Sequence, residues 1–206
     1  MSPGLQAFAA DYSPAFLEAI AFTLAAEGGF SDHALDAGGR TDFGIARNFH
    51  PRAWVDGRVD MAEALAIYHA EYWRTVRGDD LPPAIALALL DSAVLCGVRR
   101  PVQWLQTAIN QAWAGAWPLA EPGSAGRGVS HTNLAVDGRL GPRTLQALKT
   151  MASLRPDAPL HLAQRLVWQR QIHHAQRVGQ RPDQAAFILG WSRRCADLAQ
   201  TIWTLK

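Results

Sequence analysis

Apolar residues recur three and four positions apart through most of this 206-residue chain, whereas alternating runs of β-branched residues are almost absent. That pattern confines the chain to a mainly α fold. A first helix is predicted from Ser13 or Pro14 to Glu27, with Phe16, Ala19, Ile20, Thr23 and Leu24 on one stripe and Gly28-Gly29 ending it. A second begins after Asp60, whose side chain can cap it while Glu63 stands at the third helical position; it carries Met61, Leu65, Tyr68 and Tyr72. Helices over 82–96 and 101–113 follow, parted by a break at 97–100. The turn at 137–142 leads into another helix, with Pro142 suited to its first position. Two longer helices, 159–178 and 182–205, close the chain. In the last, Ile188, Trp191, Cys195, Leu198, Ile202 and Leu205 make a narrow seam, read as an intramolecular helix pair with a dimer seam as the alternative.

Between the first two helices lies an irregular, Gly-rich stretch, 28–57, where a cleft would be built. A second irregular stretch, 115–133, contains four Gly and two Pro and reads as an exposed insertion or linker. The expected organisation is therefore a catalytic region over 1–114, this insertion, and a helical region over 134–206 packed on the first.

Several function classes are disfavoured. Twenty Lys and Arg against eighteen Asp and Glu give a net charge of only +2, which argues against a dedicated nucleic-acid partner but suits encounter with an anionic polymer. No apolar stretch reaches the roughly 18 residues that cross a bilayer, so no stable membrane insertion is expected. The N-terminus lacks a basic start and a small-residue cleavage site, so synthesis in the cytoplasm without a signal peptide is expected. Cys96 and Cys195 read as two buried thiols. The seven His show no metal spacing, and no Gly-x-Ser-x-Gly elbow is present, so neither a metal, a cofactor nor a serine nucleophile is expected. Gly38-Gly39-Arg40-Thr41 lacks the Lys and the preceding strand of a phosphate loop.

The chemistry-bearing feature is Glu27. It stands eleven residues after Phe16, which returns it to within roughly 20° of the apolar face of the first helix. Burial and the negative end of the helix dipole would both favour the protonated acid. A carboxylic acid held protonated is what protonates the leaving oxygen of a sugar. Asp36, on the following loop, and Thr41 supply a second carboxylate and a hydroxyl, the minimum set for hydrolysing a glycosidic bond through water. Asp91, mid-helix among apolar residues, is either a group supporting the cleft or a structural hydrogen-bonding residue. Trp104, Trp168, Trp191 and Trp203 fall on helical stripes and read as core, whereas Trp73 borders the cleft segment and is a candidate substrate contact.

Glu27-Gly28-Gly29-Phe30, followed by Asp36-Ala37-Gly38-Gly39-Arg40-Thr41-Asp42-Phe43-Gly44-Ile45, resembles the signature of glycoside hydrolase family 108, the muramidases. The likeness continues through Ala70-Glu71-Tyr72-Trp73, Gly78-Asp79-Asp80-Leu81-Pro82 and Leu90-Asp91-Ser92-Ala93-Val94. Asp137-Gly138-Arg139-Leu140-Gly141-Pro142 and Phe187-Ile188-Leu189-Gly190-Trp191-Ser192-Arg193-Arg194 resemble parts of the peptidoglycan-binding domain that usually follows. Phe30 departs from the family's usual Tyr, and His33 and Ala37 stand where it often has Asp and Pro.

The resemblance implies a lysozyme-like helical fold with a Gly-rich active-site loop and a C-terminal helical subdomain. It implies cleavage of the β-1,4 bond between N-acetylmuramic acid and N-acetylglucosamine, with Glu27 as general acid and Asp36 and Thr41 orienting water. Phe30 and Trp73 would touch substrate. Peptidoglycan is the expected partner, reached in the periplasm or outside the cell with the help of a holin, an export system or a virion, and the chain is expected to act as a monomer. A lytic transglycosylase and a silent wall-binding or virion module are the alternatives.

Overall fold

Ten consecutive residues, Ala84 to Ala93, are buried on every side of one helix. A helix without a polar face has to lie at the centre of its domain, and the rest of the chain is arranged around it. The computed structural model describes residues 3–27, 40–115 and 133–205. Among these the α-helices are α1 (Pro3–Gln6), α2 (Pro14–Glu27), α3 (Met61–Tyr68), α4 (Pro83–Cys96), α5 (Arg99–Trp113), α6 (Pro142–Leu154), α7 (Ala158–Gln180) and α8 (Ile188–Thr204). α4 is the central one. α2, which buries Phe16, Leu17, Ala19, Ile20 and Thr23, packs on it, α7 covers another flank, and α5 and α8 pack on both α4 and α7. One hydrophobic cluster runs through all of these helices and into α6.

The mainly α expectation holds, and the helix starts and stops follow the local chemistry. α2 begins at Pro14 and ends at Glu27. Asp60 caps α3 in a reciprocal box: its carboxylate accepts from Glu63 N, and the Glu63 carboxylate accepts from Asp60 N. α3 then widens into a π-helical turn, His69–Trp73. α5 starts two residues before Pro101, which is tolerated because the first turn needs no backbone donor there. The last predicted helix is split into a 3-10 segment, Pro182–Phe187, and α8. The seam on α8 buries Cys195, Leu198 and Ile202, and α8 packs on α7 within the chain.

Two expectations are corrected. Trp168 and Trp203 are not core residues: they are 62% and 44% exposed, because the stripes of α7 and α8 that face inward run beside them. The stretch 28–57 is not irregular throughout. Thr41–Asp42 (β1) and Ile45–Ala46 (β2) pair antiparallel, Thr41 opposite Ala46 and Asp42 opposite Ile45. Strands of two residues carry no period-2 signal. The hairpin turns on Phe43 and Gly44, at φ 49° and 76°, the left-handed pair that a two-residue turn of matching twist requires. Cys195 is buried and Cys96 partly so, and both thiols are free. Most of the proposed insertion, 116–132, lies outside the described residues.

Candidate active site

Glu27 is the last residue of α2, so its side chain leaves the helix where the buried stripe gives out. It lines a cavity of about 340 Å³ together with Gly44, Ile45 and Ala46 of the hairpin, Phe49 and His50 after it, Tyr68 and Tyr72 from the α3 segment, and Val94 and Leu95 near the end of α4. The hairpin is pressed onto the acid. A Cβ placed on Gly44 would stand 2.5 Å from Tyr68 Oη and 2.8 Å from Glu27 Cγ, so only glycine allows this approach. Tyr68 Oη donates to Phe43 O at 2.8 Å and ties the turn down. Burial pushes the Tyr68 and Tyr72 phenols up, and the Glu27 charge adds to both, so they remain hydrogen-bond donors through the neutral range. Phe49, 72% exposed, offers an open ring at the rim.

Behind the cavity stands a group of four charges. Arg194, on α8, donates from Nη1 to Glu27 Oε1 at 2.6 Å and from Nη2 to Asp91 Oδ1 at 2.6 Å, with Nε 3.2 Å from both Asp91 oxygens. Arg170, on α7, donates to Asp91 Oδ2 at 2.6 Å, and Thr23 of α2 donates to Asp91 Oδ1 at 3.1 Å. Burial alone would push the Asp91 carboxyl up; the guanidiniums of Arg194 and Arg170 outweigh it and hold the group below the usual carboxylate range. Burial likewise works against the Arg194 cation, and Asp91 and Glu27 more than restore it.

The sequence argument for Glu27 counted burial and the helix end, both of which favour the neutral acid. The structure adds a contacting cation, Arg194. Asp91 is linked to Glu27 through Arg194, which bonds both carboxylates. Thr41 lies on β1, half-buried and opposite Ala46, which lines the cavity. Asp36 and Phe30 lie outside the described residues.

Trp73 is corrected. It is fully buried, 5.5 Å from Phe16 between ring centroids, with Gly78 so close beneath it that a Cβ there would enter the indole. It shapes the π-helical turn that carries Tyr72 and does not face the cavity. Sequence reasoning missed Arg194, Arg170, Tyr68, Tyr72 and Gly44 as site residues. For the arginines a signal was present: a carboxylate inside an apolar helix needs cations, and Arg170 and Arg194 interrupt the apolar stripes of the last two helices.

Residues 20–97 match the family described as Glycosyl hydrolase 108, and residues 100–196 match the family described as Predicted Peptidoglycan domain. The solved structure of Brucella abortus SagA is similar at 27% sequence identity and a TM-score of 0.60, over 94% of this chain and 97% of that one. No curated protein matches.

Proposed function

We propose that this chain, a peptidoglycan hydrolase built from a Glycosyl hydrolase 108 region and a peptidoglycan-domain region, is a muramidase that cleaves the β-1,4 bond between N-acetylmuramic acid and N-acetylglucosamine. The observation that carries the reading is Glu27 on the wall of the cavity, at the end of the buried α2 stripe, inside the matched glycosidase region. With Oε1 engaged by Arg194, delivery of the proton to the leaving sugar oxygen falls to Oε2. The Tyr72 hydroxyl and His50 can meet the polar groups of the sugar, and the Phe49 ring gives its apolar face a surface. Asp36, aided by Thr41, activates the attacking water in this reading. A carboxyl separation of roughly 6.5–9.5 Å from Glu27 would give inversion, and one nearer ~5 Å retention.

Action on the wall outside the cytoplasm, after delivery by a holin, an export system or a virion, belongs to the same proposal. The protein is read as working as a monomer.

The test is digestion of purified peptidoglycan, borohydride reduction of the new ends and mass spectrometry. N-acetylmuramitol ends are expected. N-acetylglucosaminitol ends would contradict the bond assignment, and anhydromuramic ends would make the protein a lytic transglycosylase.

A further inference from the structure

We propose that Arg194 is a positioning residue for the Glu27 acid, so that the region matching a peptidoglycan domain completes the hydrolytic centre instead of serving only to bind the wall. The proposal rests on the reading of Glu27 as proton donor.

Glu27 and Arg194 are 167 residues apart and fall in the two different matched regions, 20–97 and 100–196. Their contact is therefore made by the packing of α8 against the rest of the fold. Arg194 has little freedom in how it makes it. Its guanidinium is planar, and Nε and Nη2 are both committed to Asp91, which is itself fully buried and anchored from two further helices by Arg170 and Thr23. Fixing one edge of the fork fixes the direction of the remaining nitrogen. Nη1 is thereby aimed at Glu27 Oε1.

Charge accounting points the same way. Asp91 and Arg170, both with fully buried side chains, already neutralise each other. Arg194 adds a cation whose balancing anion is Glu27, the member of the group that faces the cavity. The group is neutral when Glu27 is ionised and carries one positive charge when Glu27 is protonated. Arg194 thus stabilises the carboxylate left after the proton has gone to the sugar oxygen, and holds Oε1 so that the acid keeps one rotamer through the cycle. A purely structural arginine would need Asp91 alone.

The experiment compares the full chain with R194Q, R194K and E27Q, measuring kcat and KM on soluble glycan strands, with a thermal melt of each protein. R194Q should lose about 100-fold in kcat with KM nearly unchanged. R194K, which keeps the charge without the two-edged fork, should recover part of kcat. A folded R194Q with wild-type kcat, beside an inactive E27Q, would overturn the positioning role while leaving Glu27 as the acid. Wild-type turnover in E27Q would remove the acid reading itself, and this proposal with it. Should R194Q fail to melt cooperatively, R194K decides: a loss of kcat at constant KM supports the proposal, and full kcat overturns it.

Discussion

Gly44 shows how closely the site is fitted around one carboxyl. Its φ of 76° is in the left-handed region, and any side chain there would press on Tyr68 Oη and on the Glu27 stem. Gly44→Ala should therefore cost about 1–3 kcal/mol of stability from backbone strain alone, and should reduce turnover more than KM by displacing the acid. Thermal melts and steady-state kinetics on the same preparation check both parts. Unchanged kcat in a protein of unchanged stability would show that the hairpin does not set the position of Glu27. At this scale the place of Glu27 was legible from the sequence, because a helix that returns a Glu to its apolar face and stops there leaves a local trace. Gly44 was legible only as part of a motif. Arg194 left a trace only as a cation interrupting an apolar stripe; which carboxylates it meets is settled by how α8 docks, and no local pattern encodes that.

At the scale of elements, the caps and breakers located most helices well: Pro14, the Asp60 box, Gly97 and Pro142 each mark an observed boundary. The hairpin and the π-helical turn escaped, the first because its strands are too short to show alternation and the second because one extra residue per turn leaves the apolar spacing almost unchanged. Trp168 shows a different failure, an aromatic on a plausible stripe that the packing leaves outside. The α7–α8 pair also carries a pH-sensitive element. His174 is buried on α7 and stacked on Trp191 of α8, 4.7 Å between ring centroids. Burial, with Arg170 and other nearby cations, pushes it down to about 4. The unfolded chain takes up this proton near pH ~6.5, the folded chain only near 4. Its contribution to stability is therefore complete above about pH 6.5 and is lost as pH falls towards 4. His174→Phe keeps a ring for Trp191, and its melting temperature should fall less over that window than that of the wild type. Parallel slopes would show that His174 is not the group responsible.

At the scale of the whole molecule, the division into a glycosidase region and a peptidoglycan region describes matched sequence more than separate bodies. α4, from the first region, is sheathed by α7 and α8 from the second, and the charges that meet Asp91 come from both of those helices. A C-terminal region packed on the first was expected from the sequence, but the sharing of one ion-pair group between the two was not. Such sharing depends on contacts between residues up to 167 positions apart. The assembled molecule places Glu27, backed by an ion-paired core, on the wall of a cavity, and the proposed muramidase activity stands or falls with that residue. The most direct test is turnover of purified peptidoglycan by Glu27→Gln, an isosteric change that keeps a partner for Arg194. A loss of at least ~100-fold with an unchanged melting temperature is predicted; a folded Glu27→Gln protein that releases muropeptides at the wild-type rate would contradict the account.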